Sequence, residues 1–102
     1  MLYVVYRLDR DDGAQEIRAQ TRPLHLEYMK TYSGLVKAGG PILADDGVTA
    51  IGGLMIIEAE SRAFVEDMVA NDPFEKANLS KIISINQWRW QTNRPKELGE
   101  LV

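Results

Sequence analysis

LYVVYRL at residues 2–8 and IGGLMIIEA at residues 51–59 are the two segments that decide the fold. Each is a short run rich in β-branched, aromatic or aliphatic side chains and bounded by polar or turn-forming residues, the signature of a strand. In the first, Leu2, Val4, Tyr6 and Leu8 fall on one face and Tyr3 and Val5 on the other, so both faces are apolar. Such a strand belongs in the interior of a sheet, covered on both sides. In the second, Gly52-Gly53 marks a bulge or a close backbone approach.

Between these strands the pattern turns helical from about Ala14 to Ala38. With Leu24 as origin and about 100° per residue, Ile17, His25, Tyr28, Met29, Tyr32, Leu35 and Val36 share one arc, and Glu27, Lys30 and Lys37 lie opposite. Pro23 either kinks this helix or separates a first piece, residues 14–21, from a main helix beginning at Pro23. Gly39-Gly40 ends it, and GPILAD at 40–45 is a short strand whose proline confines its start to an edge or a first position. Asp46-Gly47 is a turn. Ser61 caps a second helix carrying Phe64, Val65, Met68 and Val69. Asn71-Asp72-Pro73-Phe74 breaks that helix, a brief helical turn follows to about Leu79, and KIISINQWRW at 81–90 is the last strand.

The order β-α-β-β-α-β predicts an α+β, ferredoxin-like split unit: a four-stranded antiparallel sheet with both helices on one face. Residues 1–91 form the domain and 92–102 a polar C-terminal tail. Two helices on one side cannot bury strands that are apolar on both, so a homodimer joined through the helix-free sheet faces is expected.

Composition sets the outer limits. With 102 residues, 45% apolar and 26% charged, the chain has the size and make-up of one globular domain. It contains no cysteine, which excludes disulfides, thiolate metal sites and a cysteine nucleophile, and favours a reducing interior. The first ten residues lack the features of a signal peptide, and no segment reaches the roughly 20 apolar residues of a membrane span, so a cytoplasmic location without membrane attachment is expected. Twelve basic against fifteen acidic residues leave a net charge of −3, which argues against nucleic acid as a partner.

Few residues carry chemistry. His25 is the only histidine and lies on the inward arc of the first helix, where an imidazole acts either as a general base or as a core residue satisfied by backbone or water. Asp72-Pro73-Phe74-Glu75 reads as a capping box, with proline at the first helical position and glutamate at the third. Topology adds a second role: first and fourth strands are neighbours in this fold, so the end of the second helix lies beside the first and brings Asp72 toward His25. A carboxylate there fixes the tautomer and raises the basicity of the imidazole. Arg22, just ahead of Pro23 near the expected pocket mouth, is either a bidentate donor to a carboxylate or phenolate or a solvated arginine paired with a nearby acid, and Tyr6 and Tyr32 are either pocket-lining or core residues. Trp88 and Trp90 read as interface packing. Asp45, Asp46, Glu58 and Glu60 match no calcium loop, and no metal site is expected. The Gly39-Gly40 and Gly52-Gly53 pairs match no phosphate or dinucleotide fingerprint.

Together MLYVVYRLD, RPLHLEYM, GGPIL, NDPFEKANL and the closing aromatic strand resemble the YciI-like, or YCII-related, family of dimeric α/β-barrel proteins, from Met1 to about Trp90. The resemblance implies a ferredoxin-like fold dimerising through its sheets, an active site on a His-Asp pair, here His25 and Asp72, and distant kinship with muconolactone isomerases and dehydrochlorinases. The expected function is therefore a small, cofactor-independent lyase or isomerase that moves a proton on a small cyclic or aromatic, anionic substrate. The alternative is a non-catalytic dimeric ligand-binding or interaction domain using the same pocket.

Overall fold

The computed structural model describes residues 1–99. Its elements are β1 (Leu2–Asp9), α1 (Ala14–Lys30), β2 (Val36–Leu43), β3 (Ala50–Glu58), α2 (Arg62–Ala70), a one-turn helix α3 (Pro73–Lys76) and β4 (Ser80–Gln87), followed by a 3-10 turn at Lys96–Leu98. The four strands form one antiparallel sheet in the order β2-β3-β1-β4, the expected ferredoxin-like arrangement. β1 and β3, apolar on both faces, are the two interior strands.

Strand alternation sorts the side chains. Tyr3, Val5 and Arg7 pair with Ile57, Met55 and Gly53 and face the helices. Val4, Tyr6 and Leu8 pair with Ile56, Leu54 and Gly52 on the helix-free side. The core lies under α2, where Val65, Met68 and Val69 pack against Val5, Ile57 and Ile85. Each such side chain contributes about 1.5–3 kcal/mol on burial. Ser61 caps α2 as expected, its hydroxyl accepting from the Phe64 amide at 3.1 Å.

α1 behaves differently. It runs unbroken through Pro23 but ends at Lys30, eight residues short of the expected Ala38. Turns at 31–35 follow, with Leu35 and Val36 amides both bonding the Tyr32 carbonyl, and Val36 opens β2. Gly39 and Gly40 are therefore strand residues rather than a helix end, and β2 begins four residues before the expected Gly40. The helical spacing of Leu35 and Val36 is outweighed by ladder bonds to β3, where Val36 pairs with Ile57.

No residue of α1 is buried, and Leu24, the origin of the projected apolar arc, is 64% exposed. The helix docks against α3 and meets the core only through Tyr28 and Met29 at its C-terminal end. Its first half is held away from the sheet by a strut: Arg18 donates from Nε and Nη2 to both oxygens of Asp9, at 2.7 and 2.9 Å, and from Nη2 to the Gly52 carbonyl at 3.0 Å. A bidentate, largely buried ion pair of this kind fixes both distance and orientation. The gap it maintains is an open cleft of about 820 Å³ between α1, α3 and the β1–β3–β2 side of the sheet.

Two glycines shape that cleft differently. A Cβ on Gly52 would lie 2.2 Å from the Arg7 carbonyl oxygen, so the close approach read from the sequence is real. A Cβ on Gly53 would meet nothing nearer than the Gly40 carbonyl at 3.9 Å, so its missing side chain leaves the cleft floor open. Asp46 accepts from the Val48 and Thr49 amides, both at 2.8 Å, closing the expected turn with Gly47 at φ +71°. β4 stops at Gln87 rather than Trp90; Trp88 and Trp90 lie beyond it with ring centroids 5.4 Å apart. Arg94 donates to the carbonyls of Leu98 and Gly99, closing the 3-10 turn of the tail, whose positions 100–102 lie outside the described residues.

Candidate active site

Arg18, Arg22, His25 and Met29 stand at i, i+4, i+7 and i+11 on α1 and form one stripe along the cleft. The inward face of α1 is therefore largely polar, which explains why its apolar arc predicts burial poorly. Among these four, His25 lies closest to α3, its ring stacked on Phe74 at 4.2 Å with an interplanar angle of 21°. Phe74 also takes the Arg18 guanidinium 5.4 Å from its centroid, a cation–π contact that joins the strut to the imidazole platform.

Asp72 sits behind the histidine, 1% exposed, and is brought there as the topology predicts. His25 Nδ1 lies 2.8 Å from Oδ1 and 3.0 Å from Oδ2. Oδ1 also accepts from the Phe74 amide at 2.9 Å, the N-cap bond of α3, and Oδ2 accepts from Arg7 Nη1 at 3.1 Å. Burial raises the pKa of this carboxyl, but the bond from His25, the Arg7 charge and the Phe74 amide together outweigh it and hold Asp72 below the ordinary carboxylate value. An ionised carboxylate can only accept, so Nδ1 carries the proton and Nε2 of neutral His25 is left as the acceptor.

The capping box is only half formed. The Asp72 amide bonds the Val69 carbonyl rather than the Glu75 side chain. Glu75 turns instead to Arg7 Nη1 at 2.9 Å and Ser80 Oγ at 2.8 Å, both on its Oε2. Arg7, only 12% exposed, thus bridges two carboxylates. A charged donor there is worth more than the reciprocal cap bond.

Of the remaining expected site residues, Arg22 lines the cleft and is exposed at it. Tyr6 lies on the helix-free side of the sheet, paired with Leu54 and Ser84, and is separated from the dyad by the sheet itself. Tyr32 sits beyond the helix end near α2, its ring 6.2 Å from Phe64 and its hydroxyl 3.4 Å from that of Tyr28. Tyr28 in turn donates to the Met68 carbonyl at 2.7 Å; burial first, then its Tyr32 neighbour, raises its pKa, so it remains a phenol and ties α1 to α2. Neither Tyr6 nor Tyr32 lines the cleft.

Arg7, Phe74 and Glu75 are the site residues that sequence reading passed over. Arg7 carried a usable signal: it shares the inward face of β1 with Tyr3 and Val5, and a charge on a core-facing position requires an acidic partner. Phe74 and Glu75 carried none beyond the capping pattern that already explained them.

A model of the YCII-related domain matches residues 1–89, and the chain belongs to that family. Derivative of benzaldehyde biosynthesis cluster protein C from Emericella nidulans is 38% identical over 69 residues, covering 60% of this chain and 70% of that protein. Among solved structures, 5-chloro-2-hydroxyhydroquinone dehydrochlorinase from Burkholderia phenoliruptrix AC1100, in complex with 2,5-dihydroxybenzoquinone, superposes with a TM-score of 0.82 at 33% identity, covering 93% of this chain and all of that one. The resemblance read from the sequence and the α+β ferredoxin-like fold both hold.

Proposed function

We propose that this YCII-related chain is a small-molecule lyase or isomerase in which His25 is the general base and Asp72 orients and supports it. The observation that carries the reading is the buried carboxylate 2.8 Å from Nδ1 of a histidine that lines an open cleft. In the proposed step Nε2 takes a proton from an acidic hydroxyl or from a carbon beside a carbonyl. The electron pair released forms the ring C=O or C=C bond, and Asp72 stabilises the imidazolium. The proton then returns to another ring atom in an isomerisation, or departs with an eliminated anion in a lyase reaction. Kinship with a dehydrochlorinase solved with a hydroxyquinone supports a ring substrate of that class. Arg22 at the cleft, with apolar Leu26, Met29 and Pro41, suits a small ring bearing negative charge.

The proposal extends to a homodimer through the helix-free sheet face. There Tyr6 pairs with Leu54 and, two residues along β1, Leu8 pairs with Ile82; Tyr6, Leu54 and Ile82 are 37%, 44% and 45% exposed on that one face, an apolar surface that a second copy would cover. Among the described residues no helix is long and apolar enough to cross a membrane.

Ring-proton exchange tests the chemistry. A hydroxyquinone incubated in deuterated buffer should lose its ring C–H signal faster with the wild-type protein than in buffer alone, and His25→Gln, which leaves no basic nitrogen, should abolish the acceleration. Equal acceleration by His25→Gln would contradict the assignment and favour a non-catalytic binding domain.

A further inference from the structure

Glu75 is placed for more than holding Arg7. Its side chain is 8% exposed, lines the same cleft as His25, and engages both protein donors, Arg7 Nη1 and Ser80 Oγ, through Oε2. Oε1 has no protein partner among the described residues. No buried side-chain nitrogen or oxygen among them lacks a partner, so Oε1 is not sealed inside the protein, and the residue that carries it lines the cleft. Arg7 shows the complementary pattern: Nη1 serves Asp72 and Glu75, while Nη2 and Nε have no protein acceptor. The wall beside the dyad thus presents a fixed acceptor next to fixed donors, held together by their own ion pair.

We propose that Glu75 and Arg7 are the specificity-determining couple of the cleft, Glu75 Oε1 accepting the proton of a ring hydroxyl while Arg7 donates to the adjacent ring oxygen. The couple selects rings with two neighbouring oxygens, at least one of them a hydroxyl, over rings whose oxygens are alkylated. The assignment rests on the reading of the cleft as a ring-binding site and adds which oxygen pattern it takes. A carboxylate paired with arginine is an acceptor only, so it bonds a hydroxyl but meets an ether or carbonyl oxygen lone pair to lone pair. A site built to bond a hydroxyl rejects the analogue lacking it far more strongly than an apolar pocket rejects a change of size.

Titration of catechol and 1,2-dimethoxybenzene into wild-type protein and Glu75→Gln, followed by NMR, tests this as a cycle that cancels ligand size. Wild type is expected to prefer catechol by at least about tenfold. In Glu75→Gln the amide oxygen keeps Arg7 and Ser80 while its NH2 faces the cleft, and the preference should fall to about twofold or less. Glu75→Asp, which keeps the charge but withdraws the oxygen, should lose the preference likewise and serves if the glutamine variant does not fold. A loss of affinity for both ligands with the preference intact would mean a merely structural Glu75 and would overturn the proposal while leaving the dyad reading in place. Failure of wild type to bind either ring would overturn the ring-site reading and this assignment with it.

Discussion

Replacing Asp72 separates its three duties by magnitude. Its carboxylate caps α3 through the Phe74 amide, receives His25 Nδ1 and receives Arg7 Nη1, all at 1% exposure. Asp72→Ala removes the cap, worth about 1 kcal/mol. It also strips one partner from a buried guanidinium and the acceptor from an imidazole N–H, costing about 1–3 kcal/mol more. Arg7 keeps Glu75, which holds the total to about 2–4 kcal/mol rather than the larger cost of an unpaired buried charge. For a domain of this size that corresponds to a fall in melting temperature of roughly 8–30 °C. Asparagine retains a carbonyl oxygen for the cap, so Asp72→Asn should cost about 1–2 kcal/mol. Urea denaturation at fixed protein concentration measures both. A melting temperature of Asp72→Ala within 2–3 °C of wild type, on the roughly 4–8 °C per kcal/mol scale of small domains, would refute this account of the network.

Acid pH should erode the same contribution. Asp72 has a folded-state pKa below its unfolded value, so its stabilisation is complete above about pH 4 and is lost as pH falls through the folded value. The stability gap between wild type and Asp72→Asn should therefore narrow in melts below pH 4; a gap independent of pH would contradict the ionised state. The adjacent glycines should respond oppositely. Gly52→Ala meets the Arg7 carbonyl and should destabilise by about 1–3 kcal/mol. Gly53→Val should melt within a few degrees of wild type yet fill the cleft floor, lowering ring-ligand affinity at least about tenfold, and unchanged affinity would remove Gly53 from the cleft's design. Leu54→Lys, placing charge at the centre of the helix-free face, should shift light scattering from dimer to monomer; a wild-type protein that is itself monomeric at micromolar concentration would sink the dimer.

How far the sequence led depended on which force set each feature. β1 and β3 were legible because apolar residues on both faces have one economical place, the sheet interior, and the His25–Asp72 pair followed from strand order. The end of α1 was not legible, since Leu35 and Val36 keep a helical phase while β3 claims Val36 through ladder bonds. The orientation of α1 was hidden for a related reason: a helix propped off the sheet by Arg18 and Asp9 turns a polar stripe inward, against the usual rule of amphipathic packing. Tyr6 does not belong to the pocket, because strand alternation puts it on the same face as Val4 and Leu8, opposite Arg7. The parity that excludes Tyr6 is the parity that identifies Arg7.

The chain has a single histidine, so the imidazole nitrogens give one unambiguous pair of 15N resonances. Long-range 1H–15N correlation at a pH where the ring is neutral should show Nδ1 protonated and Nε2 bare, with Nε2 moving toward the protonated range when a hydroxyquinone binds. A neutral ring protonated at Nε2, or an Nε2 resonance indifferent to the ligand, would contradict a histidine held by Asp72 to receive a proton from the cleft.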